Sequence, residues 1–285
     1  MAQGENKDMQ LSKDLFQYVR DYLYEESGLY YANYKKYLLE GRLLKRLSHL
    51  NMTSFNEYIS YIRSSQSEDS ELINIFKDIA KSESYFFQNT SQLKALTEWV
   101  IPELEEKKSE KHLRIGSFSA DQGEEAYSLA IALHDFFGGH RKQWKIQIVG
   151  FFQESERLAM AEKGEYESYA IRNASRKHIL RYFDKVGAGF QLNNEIRSLV
   201  SFQHCAGPED LGYYGRFDVI FCRNRLMSLG YSLKQTLIRQ LENALRLNGI
   251  LFLGQMETLH NLEHDLELCH FPNTLAYVNK IQGES

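Results

Sequence analysis

Five apolar runs, separated by amphipathic or polar segments, restrict the fold of this sequence more than any other feature. Each run is short enough for one buried strand, and stretches with helical periodicity, such as EEAYSLAIALHDFF and SLKQTLIRQLENALRLNG, lie between them. Strands that alternate with helices across short loops predict a mainly parallel sheet covered by helices on both faces. The predicted strands are LRIGSF (Leu113–Phe118), KIQIVGFF (Lys145–Phe152), LVSFQHC (Leu199–Cys205), FDVIFCRN (Phe217–Asn224) and ILFLGQME (Ile250–Glu257).

The first quarter of the chain has a helical pattern instead. Apolar residues recur at helical spacing in LFQYVRDYLYEESG, and Gly28 at its end is suited to a C-cap. Ser54 is placed to cap the helix in SFNEYISYIRSS, and ELINIFKDIA resumes the helical pattern after a polar loop. These segments predict a small helical bundle.

The change of pattern, which follows the amphipathic helix TSQLKALTEWVIPELEEKK, divides the chain into two domains. We predict a helical domain at residues 1–80, a linker at residues 81–95 and an α/β domain at residues 96–285. Residues 168–197 do not follow the alternation of strands and helices. They are predicted to form an inserted subdomain.

Charge and cysteine content argue against several classes of function. The formal net charge is −4, whereas a general nucleic-acid binder is normally strongly basic. The three cysteines are scattered and odd in number, which fits a reducing cytoplasm and gives neither a disulfide framework nor metal-ligand spacing. The polar start MAQGENKDMQ lacks the apolar core of a signal peptide, and no apolar run approaches the roughly 20 residues that span a bilayer. We expect a cytoplasmic protein that is not inserted in a membrane.

Ligands of open α/β sheets bind beyond the carboxyl ends of the strands, so the residues after each predicted strand are candidate site residues. After the first strand, Gly123 permits close approach of the backbone, and the helix that begins near Glu124 offers free N–H groups. An ordinary turn between a strand and a helix has the same pattern, so this corner alone leaves both interpretations open.

The second corner lacks the residue that a nucleoside would need. A carboxylate that accepts hydrogen bonds from both ribose hydroxyls is expected at the end of the strand, but Phe151, Phe152 and Gln153 stand there. Glu154 lies further on, where it is suited to the N-terminus of the next helix. The two phenylalanines are predicted to pack in the core.

The third corner places the polar pair Arg223 and Asn224 directly after an apolar run. Polar residues at the carboxyl end of a buried strand are often site residues, although Asn224 is equally suited to capping a helix. Cys222 has no histidine or aspartate convincingly placed beside it, so it is predicted to be a packing residue and not a nucleophile.

Several motifs taken together resemble one known family. They are GLYYANYKKYLLEGRLLKRL in the helical domain, KSESYFFQ in the linker, and DQGEEAYS, FDVIFCRNRLMSL and LRLNGILFLGQME in the α/β domain. With these motifs the chain is similar to the CheR family, the S-adenosylmethionine (SAM)-dependent methyltransferases that esterify glutamates on bacterial chemoreceptors. The resemblance implies a helical amino-terminal domain and a Rossmann-like methyltransferase domain. It also implies that residues 168–197 are a small β-subdomain, which in some members holds a receptor tail.

The chain departs from the family pattern at positions that the resemblance connects with the cofactor and with catalysis. Gln88 stands where the family has an arginine near the active site, and Ser228 stands where it has a tyrosine. Phe152 aligns with the acidic residue of the ribose corner, and Ala206 with the first residue of an asparagine–leucine pair near the adenine. Several lost polar contacts, at about 1–3 kcal/mol each, predict that SAM binding and catalysis have been lost.

Other family residues are retained, and they keep alternative functions open. Gly123, Glu124, Glu125, Arg223 and Asn224 match the family's cofactor-binding motifs, although turn geometry and capping also explain them. The first hypothesis is a protein-binding or regulatory module, and its alternative is an active protein-glutamate O-methyltransferase. A third is that the aromatic cleft binds another ligand or is filled by its own side chains, and filling is favoured because protein interiors are close-packed.

A basic stripe in the helical domain predicts the kind of partner. Lys35, Arg42 and Arg46 lie within about 40° of one another at roughly 100° per residue. In the family, a basic helix of this domain faces the acidic methylation helices of receptors, and such charge complementarity favours docking. A solvated helix face has the same pattern. Combined with the resemblance, the stripe indicates a chemoreceptor or another chemosensory protein as the partner.

Overall fold

The computed structural model describes residues 11–27, 33, 36–63, 84–118, 122–138, 143–205, 207–226, 229–255 and 257–280. The chain divides into two compact units. The first comprises Met1–Ser82 with the loops Asn224–Tyr231 and Met256–His260, and the second comprises Glu83–Arg223, Ser232–Gln255 and Asn261–Ser285. The helices of the first unit lie in its segment Met1–Ser82, and the second unit carries the sheets.

The first unit contains, among its described residues, the helices α1 (Lys13–Ser27), α2 (Lys36–His49) and α3 (Phe55–Arg63). The predicted cap of α3 is present, because Ser54 Oγ accepts a hydrogen bond from the Glu57 N–H at 3.1 Å. Apolar stripes of the helices share one core formed by Leu11, Phe16, Val19, Leu39, Leu43, Leu47, Phe55, Tyr58, Ile59 and Ile62. Gly28 and the predicted helix ELINIFKDIA lie outside the described residues.

Ten strands are found in the described part of the second unit, in two sheets. Their bounds are β1 (His112–Ser117), β2 (Lys145–Phe152), β3 (Glu165–Tyr166), β4 (Phe183–Val186), β5 (Gly189–Leu192), β6 (Val200–His204), β7 (Phe217–Cys222), β8 (Leu245–Leu253), β9 (Leu266–Phe271) and β10 (Thr274–Asn279). The larger sheet has the order β6-β2-β1-β7-β8-β10-β9. Its first five strands are parallel neighbours, and β10 is antiparallel to both β8 and β9. All six residues of β7 are buried, so the sheet is covered on both faces as predicted.

The helices of the second unit largely follow the predicted pattern. They are α4 (Thr90–Ala95), a π-helical segment (Leu96–Val100), α5 (Ile101–Lys107), α6 (Glu124–Phe137), α7 (Ser155–Lys163), α8 (Arg176–Tyr182), α9 (Asn194–Arg197) and α10 (Tyr231–Ala244), with a 3-10 helix at Pro208–Tyr214. The helix predicted from SLKQTLIRQLENALRLNG is too long, because Leu245 already pairs with Phe217 of β7.

The inserted subdomain is confirmed as a small antiparallel sheet, of order β3-β5-β4. It begins at Glu165, three residues before the predicted insertion. Sequence patterns did not identify the β9–β10 hairpin, whose two strands are joined across Pro272 and Asn273. Asn273 has a φ of 60°, a backbone conformation that asparagine tolerates better than most residues.

Candidate functional site

The end of β2 carries phenyl rings that are buried, as predicted. Phe151 stacks on Phe118 with ring centroids 4.3 Å apart and an interplanar angle of 7°. Its ring also meets Tyr214 edge-on at 4.9 Å. Phe152 packs edge-on against Phe202 of β6 at 5.4 Å. The exposed fractions of Phe151 and Phe152 are 1% and 4%, so both rings belong to the core.

Glu154, the acidic residue that follows this corner in the sequence, is engaged at the surface. Glu154 occupies the N-cap position of α7, but its side chain caps no backbone N–H. Its carboxylate instead accepts a hydrogen bond from Arg157 Nε at 2.8 Å, at the surface. The Cys205 N–H donates to the Phe152 carbonyl at 2.8 Å, which continues the pairing of β2 with β6. Among the described residues of this corner, a ribose would meet phenyl rings and a paired backbone and would find no carboxylate at the end of β2.

Gly123 is required by geometry at the first corner. Its φ is +94°, and a Cβ at this position would lie 3.0 Å from Ala161 Cβ and 3.2 Å from Phe202 Cζ. The Tyr166 hydroxyl donates to the Gln122 carbonyl at 3.0 Å, directly before this turn. The turn into α6 thus explains the glycine without a ligand.

Four side chains from distant parts of the chain form a buried polar network, which we call the Arg223 network. Ser117 Oγ donates to Glu125 Oε1 at 2.8 Å, and Arg223 Nη1 lies 2.9 Å from Glu125 Oε2. Arg223 Nη2 donates to Gln88 Oε1 at 2.9 Å. The side chains of Arg223 and Glu125 are 5% and 4% exposed, so the ion pair is almost fully desolvated.

The linker that carries Gln88 is held from two sides. The Phe86 ring lies edge-on to Tyr166 at 4.8 Å and to Phe183 at 5.0 Å, in the inserted subdomain. The Phe87 N–H donates to Ser128 Oγ of α6 at 2.9 Å, and the φ of Phe87 is 58°. This conformation is rare for an aromatic residue and persists where surrounding contacts impose it. The two contacts orient the next residue, Gln88, towards Arg223.

A small pocket opens beside the Arg223 network. Residues on its rim are partly exposed and those on its floor are buried. The space within the pocket is about 10 Å³, close to what one water molecule occupies, so it holds no nucleoside in this conformation. The rim is formed by Tyr85, Gln88, Asn89 and Leu93, and the floor by Gln92, Glu125, Ser128, Leu129, Phe221 and Arg223.

Asn224 is not the N-cap of α10, which begins at Tyr231. Its φ is 58°, and its N–H donates to Glu257 Oε2 at 2.8 Å. Glu257 Oε1 accepts a second hydrogen bond from the Leu226 N–H, also at 2.8 Å. Glu257, which the sequence did not single out, thus holds the loop that follows β7.

Several sequence-predicted residues are buried without being part of the Arg223 network, or lie outside the described residues. Glu124 is buried, and its Oε2 accepts a hydrogen bond from the Gln122 N–H at 2.7 Å. Cys222 is fully buried within β7, in agreement with a packing role.

Three predicted residues are outside the described residues, namely Lys35, Ala206 and Ser228. The side chain of Arg42 is also outside them, whereas Arg46 lies in the last turn of α2.

The polar residues Asn89, Gln92 and Ser128 of the pocket were not singled out from the sequence, and neither was Ser117 of the Arg223 network. Ser128 Oγ donates to the Glu124 carbonyl at 2.6 Å, and Gln92 Nε2 donates to the Leu253 carbonyl at 2.6 Å. Ser128 lies within the motif DQGEEAYS, which is the signal that could have identified it.

Burial perturbs two titratable groups of α6. It raises the pKa of the Tyr127 phenol to about 12, and this hydroxyl donates to the Ala161 carbonyl at 3.0 Å. Burial would also raise the pKa of Asp135, but hydrogen bonds from Tyr182 and His178 hold it below its ordinary value. Both effects follow from how α6 packs, and neither concerns the Arg223 network.

Within the described ranges, no helix is both long and apolar enough to cross a membrane. In the same residues, no three His, Cys, Asp or Glu side chains are grouped so that they could hold a metal ion. The candidate site of the second unit is therefore the Arg223 network with its pocket.

The geometry can be set beside known proteins. A family model described as "CheR methyltransferase, SAM binding domain" matches residues 82–275, and one described as "CheR methyltransferase, all-alpha domain" matches residues 14–77. The chain belongs to the CheR methyltransferase family. The predicted fold class is thereby confirmed, and the cofactor of this CheR family is SAM.

Among similar CheR proteins, Chemotaxis protein methyltransferase 1 of Pseudomonas aeruginosa is 30% identical over 92% of this chain and 96% of its own length. Chemotaxis protein methyltransferase 2 of Vibrio cholerae is 28% identical over 93% of both chains. The Chemotaxis protein methyltransferase of Escherichia coli is 26% identical over 90% of this chain and 89% of its own length. The similarity therefore covers both domains of this CheR protein.

Proposed function

We propose that this CheR protein is a binding module of bacterial chemosensory signalling, which docks on a chemoreceptor or another chemosensory protein and has lost SAM binding and methyl transfer. The observation that carries the proposal is the buried Phe152 ring, at the position where the family resemblance implies a carboxylate for the ribose. A phenyl ring accepts no hydrogen bond from a hydroxyl, and each buried hydroxyl left unpaired costs about 1–3 kcal/mol.

The polar half of the site supports the same proposal. Arg223 and Glu125 neutralise each other, and Gln88 accepts a further hydrogen bond from Arg223. The family arginine at position 88 would add a fixed positive charge, which is absent with glutamine. Ser117 and Gln88 each add a hydrogen bond to the ion pair, so the protein's own side chains stabilise it.

Titration calorimetry with SAM and with S-adenosylhomocysteine tests the proposal. We expect no binding heat at high micromolar concentrations of either compound, with the folded state checked by circular dichroism. The double variant Phe152→Asp, Gln88→Arg restores two family side chains and is the matched comparison, in which we expect detectable binding. Micromolar affinity of the unchanged protein would overturn the proposal.

The second candidate is an active SAM-dependent protein-glutamate O-methyltransferase that acts on chemoreceptors. It is favoured by the retained Gly123, Glu125 and Arg223 and by the similarity to proteins named chemotaxis protein methyltransferases. Methyl transfer to a carboxylate depends mainly on positioning, so little acid–base machinery is required. Base-labile transfer of a labelled methyl group from SAM to the glutamates of a chemoreceptor fragment would establish this candidate.

Docking on the partner is assigned to the basic stripe of the first unit, formed by Lys35, Arg42 and Arg46. Opposite charge on an acidic helix accelerates and orients association, and its effect weakens with salt. We expect the double variant Arg42→Glu, Arg46→Glu to weaken binding of a chemoreceptor fragment at least about tenfold at low salt. Unchanged affinity would remove the stripe from the interface.

A further inference from the structure

Two residues that line the pocket beside the Arg223 network each have one buried polar atom without a hydrogen-bond partner among the described residues. One is the donor Arg223 Nε and the other is the acceptor Gln92 Oε1. Arg223 is 5% exposed and Gln92 is 3% exposed, and both line the same pocket. An unpaired buried donor or acceptor destabilises the protein because it has lost its hydrogen bonds to water, so a group that pairs with both atoms would be bound favourably.

The charge of the pocket restricts what that group can be. Its described lining contains one cation, Arg223, and one anion, Glu125, and the two are paired at 2.9 Å. Because position 88 is a glutamine and not the family's arginine, the described lining of the pocket has no excess positive charge. An entering carboxylate would be desolvated close to Glu125 without a cation of its own, which is unfavourable. The floor therefore favours an uncharged group.

Hydrogen-bonding chemistry narrows the choice further. Arg223 Nε requires an acceptor, and Gln92 Oε1 requires a donor. A carboxylate or a methyl ester supplies acceptors only, whereas a primary carboxamide supplies one carbonyl acceptor and two N–H donors. A serine or threonine hydroxyl also has a donor and an acceptor, but on a single oxygen, whereas a glutamine or asparagine amide presents them on two separate atoms, one for Arg223 Nε and one for Gln92 Oε1.

We propose that this pocket receives the carboxamide side chain of a glutamine on the protein partner and selects it over the carboxylate of glutamate. The inference rests on the proposed function, in which the chain binds a partner without methylating it. Because the space now accommodates about one water molecule, the amide enters as the partly exposed rim side chain of Asn89 moves aside.

The experiment uses the full chain and two small probes, N-acetyl-glutamine N-methylamide and N-acetyl-glutamate N-methylamide. Ligand-observed nuclear magnetic resonance at pH 7 measures the affinity of each. We expect the glutamine probe to bind about tenfold more tightly, which corresponds to roughly one satisfied buried polar group. Equal affinities, tighter binding of the glutamate probe, or no binding of either probe would overturn the inference and leave a water molecule as the occupant.

Two variants, one on the rim and one on the floor, make the test specific to this pocket. Gln88→Arg restores the missing charge and is expected to reverse the preference, so that the glutamate probe binds more tightly. Gln92→Met removes the acceptor and is expected to abolish the preference, whereas Gln203→Met, on the exposed surface of β6, should leave it unchanged. If Gln92→Met does not fold, the reversal in Gln88→Arg decides the question.

The same samples are titrated with SAM, which separates the two proposals. Binding of SAM together with preference for the glutamine probe would overturn the proposed function but leave the amide pocket in place. Absence of SAM binding together with equal affinity for both probes would overturn only the amide pocket.

Discussion

At the end of β2, Phe151 and Phe152 are buried among other rings, whereas at the end of β7, Arg223 is buried in an ion pair with Glu125. Both corners lie on the sheet edge where a CheR protein is expected to hold its cofactor. The first is part of the apolar core, where contacts between side chains are non-directional. Such a core tolerates the replacement of one apolar side chain by another of similar volume. The second is polar. Its charged groups, Arg223 and Glu125, stabilise each other because both are buried away from water. The contrast indicates that Ser117, Glu125 and Arg223 hold one another in place through the ion pair and its hydrogen bond.

The strongest test of this contrast removes the cation of the Arg223 network. Arg223→Met leaves Glu125 buried without its partner, and we expect a loss of about 3–5 kcal/mol in the free energy of unfolding. Urea unfolding measures it. The double variant Arg223→Met, Glu125→Gln should recover most of the loss, because no uncompensated charge remains. A loss below about 1 kcal/mol would mean that the pair is solvated in solution.

A smaller effect is expected at the hydroxyl that supports the carboxylate. Ser117→Ala deletes the hydrogen bond to Glu125 and should lower the free energy of unfolding by about 1–3 kcal/mol. Ser201→Ala is the matched control, since Ser201 Oγ makes a longer hydrogen bond of 3.4 Å to the Ile148 carbonyl in a partly exposed position. Equal losses in the two variants would show that the network does not depend on Ser117.

The apolar corner should be more tolerant. Phe151→Leu keeps a large apolar side chain in the core, so we expect a loss of about 1–2 kcal/mol from reduced packing and the lost stack on Phe118. Phe136→Leu, at a position 39% exposed, is the control and should change stability by less. A loss as large as that of Arg223→Met would contradict the distinction between the two corners.

The smallest effect concerns Tyr127, which packs edge-on against Phe202 beside the apolar corner. Its folded-state pKa of about 12 is above the ordinary value of 10, so the associated stability is present below pH 10 and is lost as pH rises towards 12. We expect unfolding free energies measured from pH 9 to 11 to fall less steeply in Tyr127→Phe than in the unchanged protein. Tyr213→Phe, on a side chain that is 86% exposed, should not change the slope.

Most strands of the large sheet in the second unit were predicted from the sequence. The two errors, a missed hairpin and a helix that was predicted too long, have local causes. The strands β1, β2, β6, β7 and β8 were predicted because each is a short apolar run in a regular alternation. The β9–β10 hairpin was missed because β9, LELCHF, is mostly exposed and resembles a surface segment. The helix α10 was predicted too long because Leu245 and Leu247 extend its apolar spacing, and only pairing with β7 assigns Leu245 to a strand.

The candidate site was predictable only in part. Gln88, Glu125 and Arg223 were identified because the motifs that contain them resemble those of the CheR family. Their direct contacts were not predicted, and Ser117 and Gln92 were not singled out, since neither has a distinctive sequence context. The hydrogen bond of Gln92 to Leu253 joins residues 161 positions apart, which no local pattern indicates.

The sequence by itself indicated the family, the alternation of β1, β2, β6, β7 and β8 with helices, and a phenylalanine at the end of β2 where the family resemblance implies an acidic residue. These properties depend on local periodicity and on residue identity, which are readable without coordinates. Only the tertiary structure decided that Phe151 stacks on Phe118, that Gln88 reaches Arg223, and that Gln92 and Arg223 line the same pocket. Such relations depend on distances between parts of the chain that only folding of the sheet brings together.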